Sequence, residues 1–203
     1  MVEDYRRQGV LDHRHLVSRA VDDPGDAGIR LCERRFVGKL VLRGRPTKRF
    51  RDAVKKALGH APPETPNTVA EAGTRRILWL GPDEWLVTTP PGEETATHAA
   101  LTNALASLHA AVTDVTEGRA VIGLSGVHAR DLLAKGCPLD LHPWVFKPGD
   151  CAQSLYAKAL ILLHQIDDTP SYDIFIERSM ADYLWAWLED GAQEYGLAIV
   201  HQG

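Results

Sequence analysis

The chain has 203 residues, 44% of them hydrophobic and 25% charged, with a formal net charge of −4. That size and apolar content fit one large or two small domains with a real core, and no apolar run approaches the roughly 20 residues of a membrane span. Residues 1–19 mix acids with arginines and carry no apolar segment followed by small residues, which argues against a secretory signal. The cysteines, Cys32, Cys137 and Cys151, are odd in number and have no paired spacing, so the expectation is a reducing cytoplasm rather than a disulfide framework.

In chain order, residues 1–28 are polar, with Asp-Asp-Pro-Gly-Asp at 22–26 and no sustained periodicity. They read as an N-terminal arm, poorly ordered unless Val10, Leu11, Leu16 and Val17 pack on something. Phe36 to Leu42 reads as a strand. Thr47 is a suitable N-cap for a helix with Phe50, Val54 and Leu58 inward, ended by Gly59. His60 to Gly73 reads as a loop. Arg76 to Leu80 and Trp85 to Thr89 form a hairpin around Gly81-Pro82-Asp83-Glu84. Glu93 to Leu108 is a helix with Leu101, Leu105 and Leu108 inward, and Ala111 to Val115 is a strand. The order strand, helix, strand, strand, helix, strand is that of a split βαβ unit.

The pattern then repeats. Ala120 to Leu124 is a strand, Ser125-Gly126 a turn, and Val127 to Lys135 a helix with Leu132 and Leu133 inward. Gly136 is expected in the left-handed position after that helix, with Pro138 as a stop. Strands follow at 152–157, 159–166 and 172–177, the last with Tyr172, Ile174 and Ile176 on one side. Ser179 to Asp182 reads as a capping box for a helix whose inner face is Met180, Leu184, Trp187, Leu188 and Tyr195. Leu197 to Val200 closes the series. Leu42-Arg43-Gly44 before the first helix of the first half parallels Leu124-Ser125-Gly126 before the first helix of the second half. The expected fold is therefore α+β, two tandem split-βαβ (ferredoxin-like) halves at 29–117 and 118–203 that form one compact unit.

Charge is uneven. Arg30 to Lys56 holds eleven Arg or Lys residues against Glu33 and Asp52, and 167–194 holds eight acids against Arg178. Few aromatics accompany the basic residues, which ranks an acidic protein partner above nucleic acid. Arg30 to Lys56 is thus the best sequence candidate for part of a contact surface, with Arg43, Arg45, Lys48, Arg49 and Arg51 clustered where the first strand meets its helix.

The search for chemistry yields no catalytic, cofactor-binding or metal-ligating residue. There is no Gly-rich dinucleotide loop and no phosphate loop. Gly123-Leu124-Ser125-Gly126-Val127 sits at a strand-to-helix turn but lacks the final Gly of a nucleophile elbow, so Ser125 is a turn residue. The histidines, including His13, His15 and His142, have no metal-ligand spacing. Cys137 and Cys151 read as small buried thiols, and a thiol at a helix C-terminus, as at Cys137, is disfavoured as a thiolate.

Several stretches resemble the gamma subunit of bacterial heterotetrameric sarcosine oxidase. They are Leu80 to Leu86, Val112 to Arg119, Leu124-Ser125-Gly126, Cys151-Ala152-Gln153, Ser179 to Glu189 and, most specifically, Leu133-Ala134-Lys135-Gly136-Cys137-Pro138-Leu139-Asp140-Leu141-His142-Pro143. That resemblance implies a fold like the folate-binding aminomethyltransferases. It implies a non-catalytic subunit of a cytoplasmic complex that demethylates sarcosine to glycine, giving hydrogen peroxide and, with tetrahydrofolate, methylenetetrahydrofolate. The implied partners are alpha, beta and delta subunits, with no nucleic acid and no membrane. FAD, FMN, NAD, tetrahydrofolate and zinc are expected on those other subunits and none in this chain. The alternative is a free-standing folate-binding one-carbon or iron–sulfur maturation protein of the same superfold, whose Lys-Gly-Cys-Tyr-x-Gly-Gln-Glu signature breaks here after Cys137.

Overall fold

A computed structural model describes residues 7–201. A 3-10 turn at Asp12–Arg14 and helix α1 (Leu16–Arg19) precede strand β1 (Ile29–Glu33). The first repeat is β2 (Gly38–Gly44), α2 (Lys48–Leu58), β3 (Val69–Ala72), β4 (Arg75–Gly81), β5 (Glu84–Thr89), α3 (Glu94–Leu105) and β6 (Ala110–Asp114). The second keeps that order: β7 (Arg119–Ser125), α4 (Ala129–Ala134), β8 (Cys151–Tyr156), β9 (Ala159–Asp167), β10 (Ser171–Glu177), α5 (Ala181–Ala192) and β11 (Leu197–Ile199).

The first sheet runs β3-β4-β5-β2-β6 and the second β8-β9-β10-β7-β1-β11. Each is the antiparallel split-βαβ arrangement with one extra strand, β3 or β8, on its outer edge. The second differs at one place: β1 is inserted between β7, its antiparallel neighbour, and β11, its parallel neighbour. Residues 29–33, which sequence alone placed in the first half, thus hydrogen-bond in the second half's sheet. The strand at 69–72 falls where sequence predicts a loop, and its outer position leaves only one side to be paired.

Alternation along the strands divides the core into three. Leu40, Leu42, Ile77, Trp85 and Val87 turn to Phe50, Val54, Leu58, Leu101 and Leu105 of α2 and α3. Ile122, Leu163, Tyr172 and Ile174 turn to Leu132, Leu133, Leu184, Trp185 and Leu188 of α4 and α5. Leu78, Leu86, Val121, Leu162 and Phe175 meet between the two sheets. The layers are therefore helices, sheet, sheet, helices, and burial of these apolar faces is the main stabilising term. The starts of β3 and β8 join reciprocally: Val69 N–H donates to the Gly149 carbonyl and Cys151 N–H to the Asn67 carbonyl, both at 2.8 Å.

Local signals explain most ends. Thr47 Oγ1 accepts from Phe50 N–H at 3.3 Å, and Gly59 closes α2 with φ of 93°. Gly136 is not left-handed. A Cβ there would lie 2.7 Å from Tyr156 Cε1, so the glycine allows the Tyr156 ring to approach the chain. The capping box does not form. A 3-10 turn (Arg178–Met180) precedes α5, its N-cap Met180 makes no side-chain cap, and the Asp182 carboxylate is taken by His13 Nε2 and Arg14 Nε, each at 2.6 Å.

Two further expectations need correction. The arm, from residue 7 onward, packs on its own chain. Leu11 and Leu16 are buried in the second core, Leu11 N–H donates to Glu33 Oε1 at 3.2 Å, and Arg19 pairs with Glu189. Residues 1–6 lie outside the described residues. The inner face of α5 is Ala181, Leu184, Trp185, Leu188 and Ala192, at spacings of three and four. Trp187 is off that stripe, 44% exposed, and meets Tyr183 edge-on at 6.5 Å.

Leu188→Ala should therefore cost about 2–5 kcal/mol in denaturant unfolding, as a cavity in a packed core does. Trp187→Ala should cost clearly less, about 1 kcal/mol or below. Equal costs at the two positions would contradict this orientation of α5.

Candidate functional site

The most concentrated polar chemistry lies between the sheets. Across the second sheet, register aligns Cys32, Gly123, Asp173, His164 and Cys151 in one row facing the first sheet. Arg34 Nε donates to Asp173 Oδ1 at 3.0 Å, and Arg76 Nη1, from β4, lies 3.8 Å from Asp173 Oδ2. Gly123 makes the crossing possible: a Cβ there would stand 2.6 Å from Cys32 Sγ and 3.0 Å from Arg34 Nε. Asp173 thus ties β1, β10 and β4, and so ties one sheet to the other.

The other members of the row are electrostatically quiet. Burial, with Arg76 adding to it, pushes the His164 pKa down to about 4, so the imidazole is neutral near pH 7; its buried Nδ1 has no hydrogen-bond partner. Burial pushes the Cys151 thiol up to about 12, and its Sγ faces the Thr68 and Trp79 carbonyls. Burial also raises Cys32, with the opposing influence of Arg34. Protonated, enclosed thiols beside a neutral imidazole make a structural seam rather than a nucleophile pair.

The residues singled out by sequence are dispersed. Ser125 ends β7 in register with Arg30 and Ser171 and, among the described residues, makes no hydrogen bond to a histidine or acid. Cys137 is buried 3.8 Å from Ser154 Oγ. His142 braces the loop that follows α4, and His13 pairs with Asp182. In the basic segment, Lys48 pairs with Asp52, Arg51 with Glu64, Arg43 reaches Glu84 at 4.0 Å, and Arg49 donates to Ser107. Much of that charge is met within the chain. Sequence reasoning missed Arg34, Arg76, His164 and Asp173. The available signal was the lone acid in Tyr172-Asp173-Ile174-Phe175-Ile176, at a position whose alternation points it inward.

Among the described residues, the larger open clefts include four of about 310, 500, 590 and 440 Å³; a further recess beside Phe36 and Lys39, of about 20 Å³, is too small for a cofactor. The four are lined by residues such as Asp12, Glu33 and Arg35; His13, Arg178 and Asp182; Arg19 and Glu189; and Arg43, Asp83 and His109. None of the four is lined by Phe, Tyr or Trp, and none by Cys32, His164, Asp173 or Cys151. A flavin or pterin ring is held by enclosing apolar and aromatic walls with a few aimed polar groups. The residues lining these clefts do not fit such a ring. Among the described residues no group of three His, Cys, Asp or Glu side chains could hold a metal ion.

Two measurements test the seam. The folded His164 pKa lies below its ordinary value, so between pH 6.5 and about 4 the unfolded chain binds a proton that the folded chain excludes. Stability should fall as pH drops through that window, by about 3 kcal/mol at most from this residue, and His164→Gln should flatten the fall. Asp173→Ala, which strands Arg34, should cost about 3–5 kcal/mol in denaturant unfolding. A loss under 1 kcal/mol would show that water reaches the pair freely.

Comparison with known proteins gives a consistent picture. The model of the sarcosine oxidase, gamma subunit family matches residues 44–194. The sarcosine oxidase subunit gamma of Corynebacterium sp. (strain P-1) is 32% identical over 183 residues, covering 89% of this chain and 88% of that protein. A chain of the heterotetrameric sarcosine oxidase from Corynebacterium sp. U-96, solved with pyrrole 2-carboxylate, superposes with TM-score 0.83 at 29% identity, covering 96% of this chain and 99% of that one. Aminomethyltransferase T of the glycine cleavage system from Bartonella henselae shares the fold with TM-score 0.63 at 14% identity; the match covers 95% of this chain and 51% of that one. The paired split-βαβ halves have the aminomethyltransferase fold, and this chain belongs to the sarcosine oxidase gamma subunit family.

Proposed function

We propose that this chain is a structural subunit of a heterotetrameric sarcosine oxidase and supplies no reacting group of its own. The observation that carries this is the end-to-end match to one chain of such an oxidase, over 96% of this chain and 99% of that one. The interior of the chain supports it: the buried Asp173 is committed to Arg34 and Arg76, and the cysteines of its row are protonated. In this reading the other subunits are the alpha, beta and delta chains, and FAD, FMN, NAD, tetrahydrofolate and zinc are held on them. The complex converts sarcosine to glycine with release of peroxide, and with tetrahydrofolate forms methylenetetrahydrofolate. A cytoplasmic location accords with three free, buried cysteines. No helix among the described residues is long and apolar enough to cross a membrane.

The basic surface has a secondary part in this reading. Arg45, Lys55 and Lys56, with the cations of α2 that are already paired, would speed encounter with an acidic patch and lose that effect in salt. Tagged chain expressed with the other three subunits should co-purify with them in fixed stoichiometry. Expressed alone it should be colourless and form no peroxide from sarcosine. A flavin absorption band or peroxide production by the lone chain would refute the structural role.

A further inference from the structure

Lys39, near the start of β2, is enclosed by the fold at 3% exposure, whereas every other lysine is exposed. Strand alternation sends Leu40 and Leu42 to the helices of the first core and Val37 and Val41 to the layer between the sheets. Lys39 shares the second side, so its stem enters that layer. Its backbone is satisfied there: its N–H donates to Thr116 Oγ1 at 3.0 Å and its carbonyl accepts from Val115 N–H at 2.9 Å.

Its ammonium is not satisfied in the same way. A charge taken out of water is ordinarily paired at close range. Among the described residues no carboxylate lies within 4.0 Å of Lys39 Nζ, and no side-chain or backbone acceptor takes its protons. The acids that act on it from further away are engaged by other donors. Glu117 pairs with Arg7 and Arg178, Glu94 with Arg7, and Asp114 accepts from Thr116 N–H at 2.8 Å. Burial lowers the Lys39 pKa to about 8, against the pull of Glu117, so the side chain still carries its proton at neutral pH.

Lys39 lines the recess of about 20 Å³ where the arm, the end of β1, β2 and β7 come together. Arg7, Arg34, Arg119 and Arg178 line it as well, against the acids Glu33 and Glu117. Both acids are taken: Glu33 Oε1 accepts from Leu11 N–H at 3.2 Å, and Glu117 holds Arg7 and Arg178. The arginines are likewise answered, Arg34 by Asp173 and Arg119 by Glu177. Lys39 is the cation of this group that no acid of the described residues meets. A space of this order holds about one water-sized species. That size excludes phosphate, sulfate, carboxylates and nucleotides, and the enclosed ammonium selects a negative occupant over a neutral or positive one.

We propose that this recess is a halide site, in which one chloride ion sits against the Lys39 ammonium where the arm meets both halves of the chain. The ion supplies the counter-charge that the surrounding acids do not. It draws Lys39 of the first sheet and the arginines beside the second sheet toward one centre, and it takes part in no reaction. The site stands independently of the subunit reading.

The test uses the full chain at constant ionic strength, with chloride replacing methanesulfonate, an anion too bulky for the recess. Resistance to denaturant should rise saturably with chloride, as for a ligand that binds only the folded state, and bromide should substitute. Lys39→Met keeps the buried stem and removes the charge, and should raise the chloride dissociation constant at least tenfold. A second readout needs no variant: the Lys39 Cε resonance of the wild-type chain should shift saturably with chloride and stay fixed with methanesulfonate. Equal stability of the wild-type chain in the two anions, an undiminished chloride response in Lys39→Met, or a Lys39 resonance that chloride does not move would each overturn the site.

Discussion

Strand β1 is the piece on which the tandem arrangement depends. The closing strand β11 has three residues and, among the strands of the described residues, pairs with β1 alone, so it reaches the rest of its sheet through residues from the other end of the chain. In the first repeat β6 pairs directly with β2 and needs no such bridge. The insertion also draws in what flanks it. Upstream, Leu11 is buried beside Glu33, and Val21 N–H extends the ladder by donating to the Ile199 carbonyl at 2.9 Å. Downstream, Arg34 is delivered to Asp173. The long separation between β1 and β11 gives this pairing a large loop-closure cost.

Between the sheets, apolar burial and a buried charge do different work. Leu78, Leu86, Val121, Leu162 and Phe175 favour contact but tolerate sliding, because dispersion and the hydrophobic effect have little direction. The Arg34–Asp173–Arg76 group has direction. Its net contribution to stability is small once desolvation is counted, yet breaking it leaves an uncompensated charge, so it penalises every other register of one sheet on the other. The reciprocal bonds of Val69 and Cys151 act in the same sense at the sheet margins. The same sequence offset relates Val69 to Cys151 and Leu42 to Leu124, so this junction sits on the approximate symmetry of the repeat.

The sequence exposes the repeat because local signals carry it. Thr47 and Gly59 bracket α2, Pro82-Asp83 turns the β4–β5 hairpin, and Tyr172, Ile174 and Ile176 alternate cleanly. What it hides is set by distant partners. Ile29 to Glu33 is a short run whose identity as a strand depends on β7 and β11. Val69 to Ala72 depends on β4. Asp182 fits a capping box, but Arg14 and His13 compete for its carboxylate from an arm that has no periodicity of its own. Trp187 and Trp185 are two residues apart in an aromatic-rich helix, and only the position of Ala181 and Ala192 against the sheet decides which one turns inward. The buried polar row is invisible for the same reason: its members come from five strands, and register brings them together.

The consequence for function follows from where polarity is spent. The row that crosses the sheet is enclosed, with His164 and Asp173 almost fully buried and Cys151 wholly so. Groups locked in such a seam cannot respond to a substrate, and they stiffen the two sheets against each other. A stiff two-sheet body presents its margins at fixed spacing, and Leu141 and Phe146, buried on either side, anchor the loop from which Trp144 stands exposed. Interior polarity that fixes the body removes, before any partner is met, freedom that would otherwise be lost on association.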